Sequence, residues 1–320
     1  MRILVTGASG LLGLNVALEA ARGGGQPDGP DGGHTVYGVV NRNDLRTDAF
    51  RVIKADLLAP GALERLFDQT QPDWVIHCAA LAILDACEAD PDLAYRLNAE
   101  LPANLAAIVA RGGARLVHIS TDAVFDGVRG SYDESDAPNP LSVYARTKLE
   151  GEKAVASADP RAIIARVNLF GWSLYGKRSL GEWFFYNLQA GRQVMGFTDV
   201  YFCPLLANHL AHILLQMLQA GLSGLYHVVS GECASKYDYG VAVARRFGLE
   251  ESLITPVSVM QSSLKAARSP NLTLCTDKLT GALGVSLPTL SAGLDGFYTL
   301  YQQGYPQALR AMADRAAGNL

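Results

Sequence analysis

A short apolar run that leads at once into three spaced glycines and then into a helical repeat constrains this chain more than any other feature. Arg2 to Thr6 (RILVT) reads as a strand buried on both faces, as parallel strands are. Gly7-Ala8-Ser9-Gly10-Leu11-Leu12-Gly13 follows with glycines at spacing G-x-x-G-x-x-G, and Leu11 to Arg22 carries apolar residues at helical spacing. In such a turn the first glycine permits the tight bend and the second lets backbone approach a pyrophosphate. The third lets helix and strand pack closely, while the helix N-terminus faces the negative charge. A strand, this turn and a helix in succession predict a dinucleotide site formed by Gly7, Ser9, Gly10, Leu11, Leu12 and Gly13.

The pattern then alternates. Strands are predicted over His34 to Val40, Val52 to Ala55, Asp73 to His77, Arg115 to Ser120 and Ala162 to Val167, and helices over Gly61 to Gln69, Pro91 to Arg111 and Tyr144 to about Ser157. Alternation of this kind implies an α/β fold, a Rossmann-type doubly wound parallel sheet with right-handed crossovers. The order loosens from Asn168 onward, where helices over Leu180 to Gln189 and Leu205 to Leu218 surround one clear strand, Gly224 to Val229. We therefore expect a dinucleotide-binding domain over 1–167, completed by the strand near 224–229, and a smaller, mainly helical substrate lobe over 168–320. Gly23 to Gly33 (GGGQPDGPDGG) is too rich in Gly, Pro and Asp to pack and reads as a surface loop.

Charge excludes some partners. The net charge of -4 comes with no run of Lys or Arg, so neither nucleic acid nor an anionic membrane is an expected partner. Only 18% of residues are charged, which leaves surface for a homodimer contact or for a deep cleft. The apolar run at the N-terminus is too short for a signal peptide, so a cytoplasmic location is expected. The five cysteines (Cys78, Cys87, Cys203, Cys233, Cys275) lack the paired spacing of a zinc site; they read as buried thiols, and no metal is expected.

At the end of the second strand, where NAD-preferring sites place Asp or Glu, stand Asn41 and Arg42. Arg42 can pair with a 2′-phosphate, so NADP(H) is favoured and NAD(H) remains admissible. Tyr144 and Lys148 lie four residues apart at the start of a helix and project from one face. A nearby ammonium is expected to lower the phenol pKa, which suits the phenol to proton transfer at a carbonyl. Thr121, in Ser120-Thr121-Asp122, ends a strand at the edge where parallel sheets bind ligands, and its hydroxyl can hold the substrate oxygen.

The segments GASGLLG, His77-Cys78-Ala79-Ala80, STDAVFDG (Ser120 to Gly127) and PNPLSVYARTKLEGE (Pro138 to Glu152) together resemble the extended short-chain dehydrogenases of the dTDP-4-dehydrorhamnose reductase family. Lys236-Tyr237-Asp238 and Arg268-Ser269-Pro270-Asn271 extend the resemblance toward the C-terminus. It implies a reductase that carries hydride from NAD(P)H to a keto group of a nucleotide-activated sugar. Tyr144 would be the acid/base, Lys148 its modulator and a ribose ligand, and Thr121 the hydroxyl on the carbonyl. Asp56 and Leu57 would lie beside the adenine, Ala79 and Ala80 along the dinucleotide, and Asn98 would brace the site. Asn168 and Arg268 are the leading substrate contacts, with Lys177 and Arg178 as further candidates and Arg166 reading equally as a substrate contact or a structural strand-end residue. Related dehydratases carry Asp-Glu after the threonine; Ala123 here argues against dehydration. Ser269 stands where family reductases have proline, and Gly171 to Pro204 departs from their pattern, so the sugar is left open. A nucleotide-sugar epimerase and a non-catalytic NADP-binding regulatory subunit, as of methionine adenosyltransferase, are the alternatives.

Overall fold

The structure, a computed structural model, describes residues 1–23, 34–176, 178–261 and 269–313. Apart from Gly23, the expected loop over Gly23 to Gly33 lies outside the described residues, as do Lys177 and Arg268.

The N-terminal half runs β1 (Arg2–Thr6), α1 (Leu11–Arg22), β2 (Thr35–Val40), β3 (Arg51–Lys54), α2 (Ala62–Thr70), β4 (Trp74–His77), α3 (Leu84–Ala89), α4 (Pro91–Tyr95), α5 (Leu101–Gly112), β5 (Arg115–Thr121), α6 (Val143–Ala158) and β6 (Ile163–Val167). The remainder runs β7 (Leu169–Phe170), α7 (Leu180–Gln189), β8 (Val194–Phe197), β9 (Tyr201–Phe202), β10 (Leu205–Leu206), α8 (Ala207–Gln219), β11 (Gly224–Val228), β12 (Ala234–Ser235), α9 (Lys236–Phe247), β13 (Ile254–Val257), α10 (Asp277–Leu283), α11 (Leu290–Gln302) and α12 (Tyr305–Ala311).

Seven strands form one parallel sheet in the order β11-β6-β5-β4-β1-β2-β3. The chain leaves β1 toward β2 and β3, then returns to β4 on the other side of β1, which places a topological switch between β1 and β4. Crevices at such points bind ligands beyond the carboxyl ends of the strands. Successive residues of β1 serve opposite faces: Ile3 and Val5 join α1, α8 and the C-terminal aromatics, while Leu4 packs with Leu66, Leu105 and Val109 of α2 and α5.

The helix expected across Pro91 to Arg111 is interrupted. Residues Arg96–Glu100 form a π turn between α4 and α5, which a 3.6-residue repeat does not announce. The lobe is helical as expected, but it also carries three two-stranded ladders, β7 with β10, β8 with β13, and β9 with β12. Leu205 and Leu206, expected to open a helix, are extended and pair with β7.

The β9–β12 register overturns one cysteine expectation. Ala234 faces Phe202 in an antiparallel ladder, so Cys203 and Cys233 fall opposite each other, and they form a disulfide. Cys78, Cys87 and Cys275 are free thiols, of which Cys87 is fully buried.

Candidate active site

The glycine turn is shaped by close backbone approach. Gly7 has φ +69°, and a Cβ there would lie 2.8 Å from the Ala79 nitrogen; a Cβ on Gly13 would lie 2.2 Å from the Gly7 oxygen. Helix α1 begins after Gly10 with no side-chain cap, so its first-turn N–H groups are left to other acceptors. This cradle, which a larger side chain would fill, together with uncapped donors at a helix N-terminus, fits the pyrophosphate of a dinucleotide. Ser9 and Leu11 are half-buried at its mouth and Leu12 packs inward.

Asn41 and Arg42 are exposed at the end of β2. The neighbouring carboxylate does not hold Arg42, because Asp44 pairs with Lys54 at 2.6 Å. Asp56 is exposed and its carboxylate accepts from the Leu58 N–H at 3.0 Å, with Leu57 half-buried beside it. Ala79 donates its N–H to the Thr6 hydroxyl at 3.2 Å, and Ala80 is exposed.

Thr121, Tyr144 and Lys148 meet where α6 packs on the carboxyl end of β5. Ser142 caps α6 by accepting from the Ala145 N–H at 3.2 Å, and Glu88 of α3 accepts from the Val143 N–H at 2.8 Å. These two acceptors fix the turn that carries Tyr144. The Thr121 hydroxyl donates to Asp122 Oδ1 at 3.1 Å and accepts from the Ala123 N–H at 3.2 Å. Burial pushes Tyr144 up to about 12, reinforced by the Asp122 and Cys87 charges and opposed by a hydrogen bond with the Thr121 hydroxyl.

The expected lowering of the phenol pKa by the lysine is not found. Lys148 is buried and turns to β5, donating from Nζ to the Ile119 carbonyl at 2.6 Å with His118 Nε2 at 3.4 Å. Burial lowers its own pKa to about 8, against the Glu152 carboxylate and the Cys78 thiol. The phenol is protonated at neutral pH, so it carries the proton that a reduced carbonyl oxygen would take, while the raised pKa by itself makes it a weaker acid.

Asn168, at the carboxyl end of β6, donates from Nδ2 to Asp122 Oδ2 at 2.6 Å. Burial pushes the Asp122 carboxyl up to about 6, against the Asn168 and Thr121 hydrogen bonds and the Lys236 charge. Arg166 is not available to a substrate: the residue is 2% exposed, and its guanidinium donates to both Glu152 oxygens at 2.9 and 2.8 Å and lies over the Phe125 ring. Glu152 also accepts from the Ser120 hydroxyl at 2.5 Å, so the pair is a buried strut between β5, β6 and α6. Arg178 is exposed, while its backbone N–H donates to Glu182 at 2.9 Å. Ser269 sits over the loop after β5, where a Cβ on Gly127 would be 2.7 Å from its Cβ.

Asn98, in the π turn, braces the site from below. Its side chain exchanges two hydrogen bonds with the Leu81 backbone, at 2.9 and 3.0 Å, and donates to the Thr147 hydroxyl at 3.1 Å. Sequence reasoning missed Glu88, Glu152 and the buried His77 and His118. The available signal was Ser142 before an apolar-periodic run, a helix-start cue; the others act across the sheet and leave no local mark.

The family described as RmlD substrate binding domain matches residues 1–303. The chain is 33% identical over 302 residues to a probable low-salt glycan biosynthesis reductase of Haloferax volcanii, covering 92% of this chain and 96% of that one. It is 31% identical over 306 residues to methionine adenosyltransferase 2 subunit beta of Mus musculus, covering 90% and 84%. Among solved structures, a dTDP-4-dehydrorhamnose reductase from Clostridium acetobutylicum superimposes with a TM-score of 0.78 at 29% identity, covering 94% of this chain and all of that one.

Proposed function

The chain belongs to the RmlD substrate binding domain family, and from that premise we propose that Thr121, Tyr144 and Lys148 form the centre of an NAD(P)H-dependent reductase. It reduces a keto group of a nucleotide-activated sugar, in the manner of a dTDP-4-dehydrorhamnose reductase. The observation that carries this assignment of roles is the convergence at the carboxyl end of β5. There the Thr121 hydroxyl donates to Asp122 and acts on the Tyr144 phenol, while Lys148 reaches the Ile119 carbonyl of the same strand.

The cofactor is a nicotinamide dinucleotide, with NADP(H) favoured and NAD(H) admissible, and when bound it supplies the hydride. Gly7, Ser9, Gly10, Leu11, Leu12 and Gly13 would receive its pyrophosphate, Asn41 and Arg42 the adenosine ribose, Asp56, Leu57, Ala79 and Ala80 its flanks. Tyr144 holds a proton at Oη and gives it to the oxygen of the reduced carbonyl. Lys148, one helical turn on with its ammonium at the Ile119 carbonyl, is the proposed ribose ligand and modulator of the phenol once cofactor is bound. Thr121 orients the phenol, and Asp122 fixes the Thr121 hydroxyl. Asn168, and Arg268 outside the described residues, are the proposed substrate contacts.

In this reading residues 1–167 with the strand near 224–229 hold the cofactor and 168–320 select the sugar. A cytoplasmic location, a homodimer and no nucleic-acid or membrane partner complete it; among the described residues no helix is long and apolar enough to cross a membrane. The likeness to methionine adenosyltransferase 2 subunit beta favours a second reading, an NADP-binding subunit without turnover.

Incubation with NADPH and a panel of nucleotide 4-keto sugars, followed by loss of nicotinamide absorbance, tests the proposal. Turnover with at least one sugar is expected. Saturable NADPH binding with no turnover would select the subunit reading, and nucleotide that survives dialysis and is recycled would select an epimerase.

A further inference from the structure

Behind Lys148 lie two buried imidazoles that the reduction itself does not use. His77 and His118 are register partners on β4 and β5, and their rings stack with centroids 5.6 Å apart and planes at 21°. His77 Nδ1 is 2.8 Å from the Thr6 hydroxyl, which also accepts the Ala79 N–H beside the glycine turn. His118 Nε2 faces α6, 3.4 Å from Lys148 Nζ; Gly151 of the same helix lies beside that nitrogen and lets α6 close on the π turn, where a Cβ would be 2.1 Å from the Asn98 carbonyl oxygen. Among the described residues, His77 Nε2 and His118 Nδ1 meet no hydrogen-bond partner.

An ammonium can only donate, so the nitrogen it meets must be an acceptor and the His118 proton must sit on Nδ1. Two neutral rings, one tied to the nucleotide turn and one to the lysine, then make a rigid backing for Nζ. We propose that His118, held in place by the stacked His77, is a positioning residue for Lys148, fixing where its ammonium sits and favouring its charged form. The groups that face Lys148 are consistent with this. Glu152 on its own helix is occupied by Arg166, the Cys78 thiol just after β4 is pushed up to about 12 by burial, and burial with the Lys148 charge holds His77 at about 3 and His118 well below the usual range. His118 therefore accepts and does not compete for the proton.

The inference rests on the reading of Lys148 as part of the site, but its first test does not. In ligand-free protein with ¹⁵N-labelled histidine, His118, assigned by the loss of its signal in His118→Gln, should be neutral with its proton on Nδ1. Its Nε2 resonance should shift as Lys148 titrates near pH 8 and stay flat in Lys148→Met. A proton on Nε2, or an Nε2 signal indifferent to Lys148, overturns the inference. The second test compares His118→Phe, which keeps a ring without the acceptor, with His118→Gln, which keeps an acceptor. Losing one charge-assisted hydrogen bond should move the alkaline limb of NADPH binding down by about one pH unit in His118→Phe, with His118→Gln restoring it. A wild-type limb in His118→Phe contradicts the role. Should His118→Phe not fold, the tautomer in the wild-type protein still decides. The predicted tautomer in a protein without turnover would sink the reductase reading and leave the network standing.

Discussion

Around Gly7 to Gly13 the contacts that fix the chain come from backbone atoms close in sequence or on an adjoining strand, such as Gly10 N–H to Gly7 O at 2.9 Å and Ala8 N–H to Val39 O at 2.9 Å. Around Trp172 they come largely from side chains, some near in sequence and some more than a hundred residues away. The Trp172 indole stacks on Phe297 at 3.9 Å and donates to its carbonyl at 2.9 Å, while Glu182, fully buried, gathers the Ser173 N–H and hydroxyl and the Arg178 N–H. Asn15 joins the two regions. It lies on α1, donates to the Trp172 carbonyl at 3.1 Å and accepts from the Tyr305 hydroxyl at 2.8 Å. The nucleotide turn is thus a local device, and the lobe is a shape assembled from distant parts.

Perturbations should separate these two regions from the chemistry between them. The largest effect is expected at the junction: Tyr144→Phe removes the proposed proton donor but little packing, so turnover should fall about a thousandfold while the NADPH dissociation constant stays within about twofold. Steady-state kinetics beside a fluorescence titration would show whether the two quantities part. In the lobe, Glu182→Ala leaves several buried donors without an acceptor and should cost about 3 kcal/mol of stability, read in denaturant, with cofactor affinity in the surviving folded protein unchanged. Cofactor affinity falling in step with stability would mean that the lobe and the turn are one unit.

In the turn, Gly13→Ala puts a methyl group against the Gly7 carbonyl. It should weaken NADPH binding about thirtyfold, roughly 2 kcal/mol, with a smaller change in thermal midpoint than Glu182→Ala gives. The smallest effect sharpens the cofactor assignment. Arg42→Ala should weaken NADPH about tenfold and leave NADH nearly unaffected, because only the former presents a 2′-phosphate. Equal loss for both would assign Arg42 a general surface role.

The same contrast explains what could be read in advance. The helix over Leu11 to Arg22 and the strand near 224–229, which pairs with β6, follow from periodicity in consecutive residues. The turn was legible because its requirements, three glycines between a strand and a helix, are written in one heptapeptide. The Cys203–Cys233 pairing depends on a ladder register between two dipeptide strands, and no local pattern specifies it. Arg166 looked like a cation at a ligand-facing strand end, yet its fate was decided by Glu152 on a neighbouring helix. Lys148 illustrates the limit most sharply. Its spacing from Tyr144 was visible, but the Ile119 carbonyl and His118 that hold its ammonium lie on another element.

The central claim is that hydride passes from NADPH to a sugar carbon while Tyr144 supplies the proton. Mass spectrometry of the product made from a nucleotide 4-keto sugar with NADPH deuterated at the transferring position tests it directly. The sugar should carry the label on carbon, and Tyr144→Phe should yield almost no labelled product. An unlabelled product, or labelled product formed at the wild-type rate by Tyr144→Phe, would contradict it.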